Sequence, residues 1–150
     1  DRLFDYAKGV IFRQTMFAEF EQHIHSMHEK GEGLTKDKIC DYYYSLSEKY
    51  FGFVKLTDET KFEWARIPHF FTAFYVYKYA TGMISAINFA NRILSGEKGA
   101  VEDYFNFLSA GASDIPTEIL KNSGCDLTKQ ETFEKSFDYL KNIITDWKNI

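Results

Sequence analysis

The segment Arg66-Ile67-Pro68-His69-Phe70-Phe71-Thr72-Ala73-Phe74-Tyr75-Val76-Tyr77-Lys78-Tyr79-Ala80-Thr81-Gly82 is aromatic almost throughout. It opens on a histidine directly after a proline, and tyrosines then stand at alternate positions, Tyr75, Tyr77 and Tyr79. Leu, Ile and Phe would serve for burial alone. Here the apolar bulk repeatedly ends in a hydroxyl, and a buried hydroxyl needs a hydrogen-bond partner. The pattern predicts a helix over 68–94 that passes through a core and also lines a cavity. Pro68 suits its first position, where the missing N–H would be unpaired anyway. Phe70, Phe74, Tyr77 and Thr81 form one stripe, and Phe71, Tyr75 and Tyr79 a neighbouring one, which leaves little surface for water. Gly82 inside the helix costs about 1 kcal/mol relative to Ala. Close approach of another helix or a ligand would offset that cost.

Around this segment the chain has 150 residues, enough for one domain with a real core. Fifteen Phe, ten Tyr and two Trp argue for a packed body rather than disorder. Nine Gly and only two Pro punctuate few turns, which favours long helices over a many-turned β fold. The net charge is −4 and no basic block appears, so a nucleic-acid partner is not expected. The longest apolar run, around Phe70 to Ala90, is interrupted by Lys78, Asn88 and the tyrosines. It reads as a buried helix, with no membrane partner. Cys40 and Cys125 form no CxxC or disulfide framework, which suits a reducing intracellular compartment. A single bridge between them stays open.

Residues 1–30 read as one long helix, with Gly9 as the place where a break would fall. Ile11, Phe12, Thr15, Met16, Phe20 and Ile24 give its apolar stripe, and Glu19, Glu21, His23 and Glu29 decorate the rest. Gly31 and Gly33 stop it. Thr35 caps a second helix that buries Ile39, Tyr42, Tyr43, Leu46 and Tyr50 and ends at Gly52. The stretch 53–63 connects, with a short turn around Asp58. After the loop 95–99, a helix over 100–110 is amphipathic through Val101, Tyr104, Phe105 and Leu108. A short helix follows Ser113-Asp114-Ile115-Pro116 and closes at Gly124. Thr128 caps the last helix with Glu131 as capping-box partner. Phe133, Phe137, Leu140, Ile143, Ile144 and Trp147 bury its inner face. With no repeat and no boundary, the fold class is all-α, a helical bundle in a single domain over 1–150.

Few residues can carry chemistry. His23, His25 and His28 suggest a metal cluster, but ligands on one helix need a shared face. His23 lies off the face that His25 and His28 share, no cysteine is near, and a polar helix end accounts for all three. There is no G-x-S-x-G, phosphate loop or dinucleotide fingerprint. His69 with Tyr75, Tyr77 and Tyr79 remains. It reads either as a core helix with satisfied tyrosines or as an oxyanion and substrate clamp. Neutral His and Tyr–OH can both donate to a developing negative oxygen, and Tyr75 and Tyr79, four apart, share a helical face.

Several blocks in order resemble one family. They are Phe12-Arg13-Gln14-Thr15-Met16-Phe17-Ala18-Glu19-Phe20-Glu21, Arg66-Ile67-Pro68-His69-Phe70-Phe71, Phe74 to Gly82, and Gly111-Ala112-Ser113-Asp114-Ile115-Pro116-Thr117-Glu118-Ile119-Leu120-Lys121. Together they resemble the oligoendopeptidase F family, zinc endopeptidases of the thimet oligopeptidase-like group. The resemblance covers essentially the whole chain. It implies a mostly helical, cytoplasmic enzyme that cuts short peptides in a deep channel. It implies that His69 and Tyr75 face the scissile carbonyl and donate to the oxyanion. Tyr79, one turn along, contacts substrate or supports that oxyanion, and Tyr77 is assigned with it to substrate binding.

One departure matters. The family's His-Glu-x-x-His is absent: His28-Glu29 is followed by Lys30-Gly31-Glu32. The two zinc ligands, the general base and a later glutamate ligand are therefore expected upstream of Asp1. The chain opens in mid-pattern and ends at Ile150 still in a helical pattern. It reads as the C-terminal lobe of a longer peptidase. Zinc belongs to the parent enzyme, and no metal ligand is assigned in this chain. The isolated chain is expected to be inactive, to expose the face that meets the missing N-terminal part, and to self-associate. A non-catalytic helical binding or oligomerisation module is the alternative.

Overall fold

The computed structural model describes residues 2–148, with side chains described over 5–145. Expectations that fall on Asp1, on Asn149 and Ile150, or on the Trp147 side chain lie outside the described residues. Among those described, the regular elements are helices and no strand occurs. They are α1 (Arg2–Ala7), a π-helix (Lys8–Arg13), α2 (Gln14–Glu29), α3 (Lys36–Phe51), 3-10 helices at Asp58–Arg66 and Pro68–Phe71, α4 (Tyr77–Leu94), α5 (Ala100–Ala110), α6 (Pro116–Asn122) and α7 (Gln130–Lys148). The all-α expectation is met. None of these helices is long and apolar enough to cross a membrane. The chain divides into two compact units, Asp5–Ala80 and Thr81–Ile150 with Asp1–Phe4.

In the unit Asp5–Ala80, the first helix does not break at Gly9. It widens into the π-helix and runs on as α2. A π turn holds more residues than an α turn, so the stripe changes phase. Phe12 and Thr15 come out exposed, whereas Phe17, Glu21 and Met27 are buried. Gly31 (φ 73) takes the left-handed step that ends α2. The Thr35 side chain accepts from Lys38 N–H at 3.4 Å as the cap of α3. Met16, Phe17 and Phe20 of α2 pack on Tyr43 and Leu46 of α3 and on Ile67 and Val76. The Phe20 ring meets Tyr43 edge-on at 5.1 Å and Phe70 at 5.3 Å.

The expected helix over 68–94 is two pieces. The 3-10 turn Pro68–Phe71 is followed by an irregular segment, 72–76, before α4 begins at Tyr77. Phe74 has φ 55. A side-chain-bearing residue in that region costs roughly 1–2 kcal/mol, so a bond from elsewhere must hold it. The low exposure expected for this stretch is also overturned: Phe71 is 89% exposed, and Phe74 and Tyr77 stand half-exposed.

In the unit Thr81–Ile150, Ile84, Ile87 and Phe89 of α4 are buried with Ala100, Ile119, Cys125 and Leu140. Arg92 ties α4 to its neighbours. It reaches Glu97 at 2.8 Å, Asp103 at 2.5 Å and the Ser123 carbonyl at 3.0 Å. Three expectations change here. A Cβ at Gly82 would meet nothing within 4 Å, so no neighbouring helix of this chain explains that glycine. Val101, Phe105 and Leu108 of α5 are exposed, and the inner side is carried by Tyr104 and Phe107 stacked around Phe89. Thr128 does not cap α7 with Glu131. Its hydroxyl donates to Asp126 at 2.7 Å, and Glu131 pairs with Lys135. Asp126, two residues upstream, accepts both the Thr128 N–H and its hydroxyl, and α7 begins only at Gln130.

Candidate functional site

His69 is presented by a segment fixed from behind. Glu63, on the 3-10 helix just before it, accepts from the Tyr43 hydroxyl at 2.9 Å and from Arg66 at 2.6 Å, and it also pairs with Arg13. Burial alone would raise the Glu63 pKa. The Tyr43 hydrogen bond and the two guanidinium groups outweigh it, and the carboxyl sits below its ordinary value. Burial first, and then the Glu63 charge, push the Tyr43 phenol well up. Trp64 adds a bond from its indole N–H to Cys40 Sγ at 3.5 Å. The carrier of His69 is thus tied to both the π-helix and α3.

The histidine meets two of the three tyrosines. His69 Nε2 lies 3.1 Å from the Tyr79 hydroxyl. Its ring stands edge-on to Tyr79 at 5.5 Å and stacks over Tyr75 at 6.0 Å. Tyr75 and Tyr79 approach edge-on at 5.5 Å. Tyr75 is outside the helix, so this proximity comes from the turn over 72–76 rather than from a shared helical face. Tyr77, within α4, is about 200° around the axis from Tyr79. The Tyr79 phenol is held above its usual pKa, first by hydrogen bonding to Tyr75, then by burial and by the charge Tyr75 would carry. It therefore stays an O–H donor through neutral pH. The Lys78 ammonium lies 5.2 Å over the Tyr75 ring. The cluster is part-exposed, with Tyr75 at 36%.

Sequence reasoning placed Glu21 among solvated residues, and that placement is wrong. Glu21 is 5% exposed. Its Oε1 accepts from Phe74 N–H at 2.7 Å. It also lines an apolar cavity of about 220 Å³ with Phe20, Ile24, Trp64 and Phe70. The available signal was positional: Phe17, Phe20, Glu21 and Ile24 fall at i, i+3, i+4 and i+7, so a charge stands on the apolar stripe.

Two of the other histidines lie against aromatic rings: His23 stacks on Tyr42 at 3.6 Å and His25 lies tilted against Phe74 at 4.6 Å. Among the described residues, no three His, Cys, Asp or Glu side chains come together as a metal site would require. The donor set among the described residues does not fit a zinc ion. Cys40 and Cys125 are free thiols, both buried.

Residues 3–139 match the profile of Peptidase family M3. The chain is 47% identical over 128 residues to Oligopeptidase PepF of Bacillus subtilis, which covers 85% of the chain and 19% of that protein. It is 40% identical over 147 residues to Group B oligopeptidase PepB of Streptococcus agalactiae, covering 97% of the chain and 24% of that protein. The fold superposes on oligoendopeptidase-F from Enterococcus faecium with a TM-score of 0.83 at 42% identity, over 95% of this chain and 29% of that one. The chain therefore spans roughly a fifth to a quarter of the length of the curated relatives it matches.

Proposed function

Because the chain belongs to peptidase family M3, we propose that it is the part of an oligopeptidase that polarises the scissile carbonyl of short peptides. The observation that carries this reading is the hydrogen-bonded His69–Tyr79 pair with Tyr75 packed against both. As an amide turns tetrahedral, its oxygen gains negative charge, and preorganised donors stabilise that oxygen more than the ground-state carbonyl. With the proton on His69 Nε2, that N–H rests on the Tyr79 oxygen and is the donor that turns to the oxyanion when substrate binds. With the proton on Nδ1, Tyr79 donates inward and Tyr75 is the outward donor. Either arrangement leaves an O–H or N–H donor for the developing oxyanion.

His69 and Tyr75 are assigned to the oxyanion, Tyr79 to its support and to substrate, and Tyr77 to a more distant substrate contact on the other side of α4. The chain is the C-terminal part of the catalytic domain. Zinc, which this chain's donors do not fit, is held by the rest of the enzyme, and no step is assigned to it here. Two free buried cysteines suit a cytoplasmic setting.

The experiment is turnover of a short peptide by the whole peptidase carrying Tyr75→Phe or Tyr79→Phe. Loss of one oxyanion donor is worth about 2.7–4 kcal/mol, or 10²–10³ in kcat. At least one variant is expected to fall in that range with the fold intact. Wild-type kcat in both would remove the clamp. The isolated chain is expected to cleave nothing, and chelator-sensitive cleavage by pure chain would contradict the division of labour.

A further inference from the structure

We infer that Glu21 is a positioning residue for Tyr75: it holds the amide of Phe74 and so fixes the turn from which Tyr75 reaches His69 and Tyr79. The inference rests on the site reading above. Glu21 sits on the buried stripe of α2, where a carboxylate is costly unless hydrogen-bonded. Among the described residues no Lys or Arg pairs with it. Its short bond to Phe74 N–H joins residues 53 apart in sequence.

The place it grips is the strained point of the segment. Phe74 has φ 55, a conformation a phenylalanine adopts only when its surroundings enforce it. Its ring also packs on His25, 4.6 Å away and one turn along α2 from Glu21. Two residues on, Val76 is 0% exposed and belongs to the core cluster. Phe74 is thus held at its backbone amide and Val76 is buried in the core, and the residue between them, Tyr75, is turned toward His69. Without the Glu21 bond, the turn loses the contact that offsets its backbone conformation, and Tyr75 loses its bearing. A buried carboxyl kept for one backbone amide beside a candidate catalytic residue is explained by that placement.

The test uses the whole peptidase with Glu21→Gln, which keeps an acceptor oxygen, and Glu21→Met, which keeps length and removes it. Glu21→Gln is expected to retain kcat nearly in full. Glu21→Met is expected to lose about 10- to 100-fold in kcat, with KM little changed, as a misplaced group does. In a Tyr75→Phe background the Met substitution is expected to add almost nothing, because both act through the same side chain. A purely structural role would give additive losses and would not spare KM. Hydrogen exchange gives a variant-free reading: the Phe74 amide is expected to exchange far more slowly than those of Ala73 and Tyr75. Equal exchange at the three amides, an unchanged kcat in folded Glu21→Met, or additivity with Tyr75→Phe each overturns the inference. Failures are separable. Normal turnover in both His69→Ala and Tyr75→Phe removes the site reading itself, whereas slow turnover there with normal Glu21→Met removes Glu21 alone.

Discussion

Glu63 shows how much one side chain does here. It gathers a hydroxyl from α3 and guanidiniums from Arg13 and Arg66, just ahead of His69. Glu63→Gln is expected to destabilise the fold by about 1.5–3 kcal/mol, read as a lower denaturant midpoint, since bonds to a charged group are lost. The pH dependence has a definite sign. The folded carboxyl titrates below its ordinary value near 4.5. Its contribution is therefore fully present above that value and is lost as pH falls through the depressed one. Acid unfolding is expected to move to higher pH when Arg13 is replaced by Met, and an unchanged acid midpoint would refute the assignment. Neither Glu63 nor Glu21 could be read from sequence as what it is. Arg13 lies 50 residues from Glu63 and Phe74 53 from Glu21, and only the fold brings them together. His69, Tyr75 and Tyr79 were legible because His and Tyr are donors whatever the backbone does. Tyr77 was grouped with them by alternation, a pattern that the helix from Tyr77 onward does not follow.

Among the elements, those written in local chemistry came through. Thr35 caps α3, Gly31 ends α2, and the helix at Ala100–Ala110 falls where it was expected. The expected helix over 68–94 failed because its apolar density masked a turn held from α2, and a bond so distant leaves no periodic trace. The α5 face failed because amphipathicity says that a face is apolar, not that this chain covers it. Two glycines make the element scale testable. Gly82 lies inside α4 with nothing near a Cβ. Gly82→Ala is expected to stabilise by about 0.5–1 kcal/mol, since only chain entropy changes. Gly124 has φ 81, and a Cβ there would stand 2.3 Å from an Arg92 guanidinium nitrogen. Gly124→Ala is expected to destabilise and to loosen the Arg92 links. Thermal unfolding of the two variants separates them, and shifts of the same sign would contradict this reading of the two sites.

The molecule as a whole carries more apolar surface than its own contacts use. Val101, Phe105 and Leu108 stand at i, i+4 and i+7 on α5 and are exposed, as are Leu94 and Ile115. A contiguous face of that kind marks an interaction surface. The curated relatives are four to five times longer than the chain matched to them, and the rest of such a protein is the proposed cover. The isolated chain is then expected to self-associate as concentration rises, and Phe105→Lys to reduce it. A chain that sediments as a monomer at high concentration would count against the face. The proposed function is narrower: it gives this chain the carbonyl-polarising donors and the rest of the enzyme the metal. Its most direct test is the whole peptidase carrying His69→Ala, with kcat/KM and bound zinc measured on the same sample. The account expects turnover to fall about 10²–10³-fold while zinc stays at the wild-type level. Wild-type turnover at full zinc content would contradict it.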